Sequence, residues 1–429
     1  MATIGIGSSV ASAQSSAAPA TAPTQLAFPT AEGFGAHAVG GRGGRVIFVT
    51  NLNDDGPGSL REAVTASGPR NVVFAVSGTI PLKTRLTISE PFLTIAGQTA
   101  PGDGVCISGQ DTLIRTHDVI VRYMRFRPGD ILPGEKDALS IVDGVNVIID
   151  HCSATWSIDE ALSTTKGSNG VTVQWTIIAE ALHNSQHAKG NHGYGGIIQG
   201  QAITYHHNLY AHNRSRNPRP ESGYSDFRNN VIYDWNGMAG YAEDNTFRFN
   251  YVGNYLKPGP GTQTNRDIAF HTGKTKAQMY ASGNVLEGVN KPGEDDKKLI
   301  KVRNGGVMVD RPFDFPPIKM DPAEAAYQRV LENVGATLPK RDAVDARIIA
   351  SVRDGTGKLL DTQKEVGGWP ELKSAPAPED ADHDGLPDAW EAQHRLDSKN
   401  PADQAMDADG DGYTNLEEYF NNTDPQRKD

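Results

Sequence analysis

The chain has 429 residues, a net charge of −11 from 41 Lys and Arg against 52 Asp and Glu, and only two cysteines. That length suits one large and one small domain, the cysteine count excludes a disulfide framework, and the absence of a basic excess excludes nucleic acid as the expected partner. No apolar run reaches the ~18 to 20 residues of a membrane-spanning helix, so a soluble protein is expected.

The first residues, MATIGIGSSVASAQ, lack a basic start, yet Ala11-Ser12-Ala13 has the small-residue spacing of a signal-peptidase site. Residues 1–27 therefore read as a shortened export signal with a flexible tail. The mature protein is expected outside the cytoplasm, secreted or held in the periplasm or at the cell surface. A large domain follows over residues 28–370. Its first segment, VIFVTNLNDDGPGSLREAV from Val46, predicts a strand, a turn and a short helix capped by the Ser59 hydroxyl.

A rung-like pattern then recurs: VIVRYMRF at Val119, VIIDHCSA at Val147, VTVQWTII at Val171, ITYHHNLY at Ile203, SDFRNNVIY at Ser225 and TFRFNYVGN at Thr246. Each run is rich in β-branched and aromatic residues and ends in turn formers. Spacings mostly in the twenties are too short for a strand plus crossover helix but suit one turn of a coil with several strands. The expected fold class is all-β, a parallel β-helix. Asn208, Asn230 and Asn250 are expected to form an inward amide ladder between coils, and Cys106 and Cys152 to be buried free thiols. Downstream, AEAAYQRVLENVG from Ala323 and RDAVDARIIASVRDGTG from Arg341 have helical spacing and predict flanking helices across the coil.

The candidate chemistry gathers in the middle of the chain. The stretch from Lys189 to Arg219 joins a glycine-rich approach and a strand to three guanidinium groups, Arg214, Arg216 and Arg219, which suit bidentate pairing with the carboxylates of a uronate polymer. Asp137 lies 22 residues before Asp159 and 23 before Glu160. One coil of that length brings these acids to one face, with Glu135 beside them and with Lys189 and Arg216 on the coils that follow. Stacked acids need a cation, and oxygen-only donors favour Ca²⁺ over zinc. His183, His187, His192, His206, His207 and His212 show no zinc spacing and read as packing, hydrogen-bonding or substrate-contacting residues, with His187 and His192 near the substrate. A glycoside hydrolase using a carboxylate pair such as Asp226 and Asp234, or a non-catalytic carbohydrate-binding surface protein, are the alternatives.

After a linker at 371–379, residues 380–429 form an acidic module. Residues 374–429 hold 15 acids against 4 bases, leaving 37 of each (52 − 15 and 41 − 4) in the neutral remainder, which does not repel an acidic polymer. In DADHDGLPDAWE, Asp380, Asp382, Asp384, Gly385, Asp388 and Glu391 occupy positions 1, 3, 5, 6, 9 and 12 of an EF-hand-like calcium loop. DADGDGYTNLEE repeats the pattern with Asp407, Asp409, Asp411, Gly412, Asn415 and Glu418. No helix pair of EF-hand length surrounds either loop, so attachment or structure is the expected role rather than sensing.

The segments IIDHCSATWSIDEALS and ITYHHNLYAHNRSRNPR, with the strand ending in Asp150-His151 and the Arg-x-Pro loop, resemble the polysaccharide lyase family that contains the pectate lyases; the likeness runs from about Phe28 to Gly357. The resemblance implies a right-handed parallel β-helix and calcium-dependent β-elimination of polygalacturonate. It also implies that Asp137 and Glu160 bind calcium with Asp159 sharing the role, that Arg216 abstracts the proton and that Lys189 holds the substrate carboxylate. Thr164 stands where a third acid is expected and Glu221 where a second arginine is, with Asp159 and Arg219 as the compensating residues. A monomer acting on pectate is expected.

Overall fold

The computed structural model describes residues 25–243, 246–272, 276–303 and 305–428. The expected export segment lies outside the described residues up to residue 24. From Arg45–Val49 to Val307–Met308 the chain winds as a right-handed parallel β-helix, with strands of successive coils stacked in three faces. One coil contains Leu139–Val142, Val145–Asp150 and Ser153–Thr155; the next contains Leu162–Thr165, Asn169–Gln174 and Ile177–Ala179. In register, Leu139 pairs with Leu162, Val147 with Val171 and Ser153 with Ile177, offsets of 23, 24 and 24 residues. The following coil is longer, Asn169 pairing with Gln201 at an offset of 32, because residues 180–196 make an excursion that carries His187, Lys189 and His192.

Alternation along the strands sends Val147, Ile149, Val171, Val173, Ile203, Tyr205, Phe227, Phe249 and Tyr251 into the coil. Between the second and third strand of each coil sits one residue in the left-handed region: Tyr123, His151, Trp175, His207, Asn229, then Gly253 and Gly283. The residue after this bend forms the interior ladder. The Thr176 N–H donates to Asn208 Oδ1 (2.9 Å), Asn208 N–H to Asn230, Asn230 N–H to Asn254 and Asn254 N–H to Asn284 (each 3.0 Å). Each amide nitrogen donates in turn to a carbonyl of an earlier coil, as Asn230 does to Tyr205 (3.0 Å). Asn208 and Asn230 therefore stand as expected, but Asn250 does not join them. Pairing with Asp226 puts it mid-strand, and its amide bonds Asp226 Oδ1 and the Phe313 carbonyl. Asn254, which follows the Gly253 bend, takes the rung.

Three of the helices lie on the coil as their periodicity requires. The short helix α1 (Leu60–Thr65) is capped by Ser59. Helices α2 (Ala323–Asn333) and α3 (Ala343–Asp354) bury Val330, Leu331, Ile348, Ile349 and Val352 against Trp156, Ile177, Leu209, Val231 and Tyr233. Beneath α3, Arg127 is fully buried and pairs with Asp342 (2.5 Å) and Asp345 (2.7 Å). Cys106 and Cys152 are buried free thiols, pushed up to about 11 and about 12 by burial. No described helix is long and apolar enough to cross a membrane.

Each acidic loop is followed by a single two-turn helix, α4 (Asp388–His394) and α5 (Asn415–Asn421). This module is seated on the coil: Leu386, Leu416 and Phe420 pack with Val73 and Ala96, and Arg42 grips Glu417 with Nε at 2.8 and 3.0 Å from its two oxygens.

Candidate active site

The strand register stacks Asp137, Glu160, Tyr194 and Arg216 on four successive coils. Leu139 over Leu162 places Asp137 over Glu160, Glu160 bridges Tyr194 directly, and Ile198 over Pro220 carries the alignment to Arg216. Close stacking here depends on Gly196, where a Cβ would fall 1.9 Å from the Leu162 carbonyl oxygen. Arg216, itself in the left-handed region at φ 59, turns its guanidinium back across the Tyr194 ring, 3.9 Å from the centroid, to pair with Glu160. Three rungs of separation thus contract into one cluster.

Carboxylate oxygens of Asp137, Asp159 and Glu160 lie within 4.8 Å of one another. Asp137 Oδ1 accepts the Glu160 N–H (3.1 Å) and its other oxygen accepts the Ser140 hydroxyl. Burial pushes the Asp137 carboxyl up to about 7, against the Ser140 hydrogen bond and with the Asp159 charge adding to the rise. An acid cluster held this way is matched by a hard divalent cation, and the donors are oxygen only. On this chemistry the residues fit calcium.

Behind the acids, His187 and His192 stack with centroids 3.5 Å apart. His192 Nε2 is 3.0 Å from Asp159 Oδ1 and His187 Nε2 is 3.6 Å from Oδ2. With 1% of its side chain exposed, His187 lies too deep for the substrate contact expected of it; with Asp159 the two imidazoles form a second group whose ligand atoms lie within 4.8 Å of one another. Glu135 stands at the rim, 3.4 Å from His187 Nδ1, outside the three-acid cluster. Lys189 is exposed on the excursion, while the rung between Glu160 and Arg216, where sequence spacing put it, belongs to Tyr194. Arg214 donates to the Asn191 carbonyl (2.5 Å) and the Tyr194 hydroxyl (3.1 Å). Arg219 pairs with Glu221 (2.8 Å), so these two residues answer each other. Thr164 is fully buried, facing the coil interior between Ile141 and Ile198, and is not a vacant ligand position.

The hydrolase alternative loses its carboxylates. Asp226 and Asp234 are both completely buried, one held by Arg228 at 2.5 Å and the other by His212 at 2.7 Å. His212 Nε2 also meets Ser351 Oγ at 2.8 Å, but that hydroxyl donates to the Ile348 carbonyl of its own helix. This chain of contacts fastens α3 to the coil. Tyr194 and Ser140 were not picked out from the sequence; the register of the rungs was the available signal for Tyr194.

In the carboxyl-terminal loops, Asp380, Asp382 and Asp384 converge, as do Asp407, Asp409 and Asp411. Gly385 (φ 95) and Gly412 (φ 105) make the turns that position 6 requires. The position-9 residues Asp388 and Asn415 begin the helices; Asp388 accepts the Ala381 N–H (2.8 Å) and Asn415 donates to the Asp403 carbonyl (2.8 Å). Glu391 faces Asp384, and Glu418 is buried on α5.

The family model described as pectate lyase matches residues 93–258. A probable pectate lyase C of Aspergillus terreus is 39% identical over 416 residues, covering 93% of this chain and 94% of its relative. That of Emericella nidulans is 40% identical over 414 residues, covering 94% and 93%. Among solved structures, the cedar pollen allergen jun a 1 aligns with TM-score 0.55 at 18% identity over 71% of this chain and 92% of that one. The pectate lyase Bsp165PelA of Bacillus sp. N165, in complex with trigalacturonate, aligns with TM-score 0.51 at 17% identity over 71% and 98%. With a likeness this long to curated relatives and the coil to match, the chain belongs to the pectate lyase family.

Proposed function

We propose that the groove over Asp137, Glu160, Tyr194 and Arg216 cleaves polygalacturonate by calcium-assisted β-elimination. The convergence of three acids and one guanidinium across the Tyr194 ring carries this reading. Asp137, Asp159 and Glu160 are the residues that would hold calcium, which when bound acidifies the proton on carbon 5 by drawing charge from the uronate carboxylate. Arg214 and Lys189 orient the polymer's carboxylates. In its neutral form, its own proton having passed to water, Arg216 takes the carbon 5 proton, the carbon 4–oxygen bond breaks with its electron pair leaving on oxygen, and water protonates that oxygen. A 4,5-unsaturated uronide remains.

We read the protein as an exported monomer in which residues 380–429 form a module with one calcium ion in each loop. The test is product analysis. Polygalacturonate with calcium should yield ultraviolet-absorbing unsaturated ends, and chelator should abolish them; Arg216→Lys should lower turnover on the order of 10²-fold or more while polymer still binds. New reducing ends without unsaturation would replace this reading with hydrolysis, and binding without any product would leave a carbohydrate-binding protein.

A further inference from the structure

The first acidic loop ends at Glu391, yet a further carboxylate enters the cluster from twelve residues beyond it. Oxygens of Asp384, Glu391 and Asp403 lie within 4.8 Å of one another, and the three residues are 3%, 0% and 4% exposed. Asp384 Oδ1 accepts the Leu386 N–H (2.9 Å) and Asp403 Oδ2 the Asp397 N–H (3.1 Å). By contrast, Asp384 Oδ2, Asp403 Oδ1 and both oxygens of Glu391 receive no hydrogen bond from the described residues. Three carboxylates buried side by side without a counter-charge are costly to ionise. An oxygen-only set aimed inward calls for a hard cation.

We propose that Asp403 is a calcium ligand supplied from outside the first loop, and that the ion it completes braces the opening coils of the β-helix. This rests on reading the loops as calcium sites. The mechanical path is short. Next to Asp384, a Cβ on Gly385 would lie 3.1 Å from Val46, and Leu386 packs on Val73 and Ala96 beside the strand Arg45–Val49. The Asp403 carbonyl is held by Asn415 at the start of α5 (2.8 Å), whose Glu417 grips Arg42 and whose Asn421 accepts from Arg122 (2.8 Å). One residue thus ties the first loop's ion to the helix that clamps the coil.

The full chain is titrated with terbium, whose emission Trp390 in the first loop sensitises, and coil opening is followed by the reaction of buried Cys106 and Cys152 with a thiol reagent. Asp403→Asn should weaken terbium at this loop by at least about tenfold and remove most of the calcium-dependent slowing of thiol reaction, with lyase turnover unchanged. Asp403→Ser, which cannot ligate as a carboxylate, should behave alike. Wild-type terbium affinity in both variants, alongside loss in Asp384→Asn, would overturn Asp403 as a ligand while the loop reading stood. Thiol reaction indifferent to calcium would overturn the brace. No terbium emission in the unsubstituted chain would remove the loop reading and the inference together.

Discussion

Arg216 reaches the acids only because its backbone is in the left-handed region, a conformation that costs a residue with a Cβ roughly 1 to 2 kcal/mol, and because the Tyr194 ring supports the guanidinium on the way to Glu160. The ring is therefore a positioning element. Tyr194→Ala should lose the cation–π support, about 1 to 2 kcal/mol in a partly desolvated setting, and lower kcat/KM by about tenfold. Tyr194→Phe should retain most of it, since the face rather than the hydroxyl holds Arg216. Equal losses in the two variants, measured on polygalacturonate, would count against the ring's role. The acids were legible in the sequence because a coil of 22 or 23 residues makes equivalent positions recur at that interval. Tyr194 was not legible, because the excursion over residues 180–196 breaks the interval and an aromatic residue beside glycines carries no mark of its rung. The burial of His187 was hidden for the same reason.

At the scale of the elements, the amide ladder replaces the hydrogen bonds that solvent would give to the bend after each second strand. Asn230 sits at its centre, accepting from Asn208 N–H and taking part with Asn254 on the other side. Asn230→Ala leaves these buried groups unsatisfied and should destabilise the coil by about 2 kcal/mol, read as a lower denaturant midpoint. An unchanged midpoint would mean that the ladder is dispensable. Its existence was legible from Asn208 and Asn230, but the third rung was misplaced: Asn250 and Asn254 are separated by the few residues that decide between strand and bend. The helices were better marked, since their apolar period and caps are local properties that the coil merely accepts.

Considered whole, the molecule is clasped along one side by α2 and α3 and at its opening coils by the acidic module. The clasp depends on ionised carboxylates. Although burial opposes ionisation, the Arg127 and Arg125 guanidinium groups hold Asp342 well below the usual carboxylate range, and His151 and Arg122 do the same for Asp150. For groups depressed on folding, the stabilisation is present above the unfolded value of about 3.9 and is lost as pH falls toward the folded value. The contribution of Asp342 and Asp150 to the thermal midpoint should therefore hold steady from neutral pH down to the lower end of the unfolded carboxylate range and drop below about pH 4. In Asp342→Asn, which leaves Arg127 with Asp345 alone, the midpoint should start lower, by the equivalent of about 2 kcal/mol of stability, and fall less steeply; parallel curves for the two proteins would refute the linkage. The tandem acidic loops were legible because their spacing repeats within twelve residues. Its seat on the coil was not legible, since contacts such as Arg42 to Glu417 join residues from opposite ends of the chain.

The proposed chemistry turns on one divalent ion among acids from consecutive coils. Anomalous diffraction from crystals loaded with a heavy calcium analogue tests it most directly. The predicted result is a peak bounded by Asp137, Asp159 and Glu160, in addition to peaks in the carboxyl-terminal loops; density confined to those loops, with the groove acids empty at saturating ion and polymer, would contradict it.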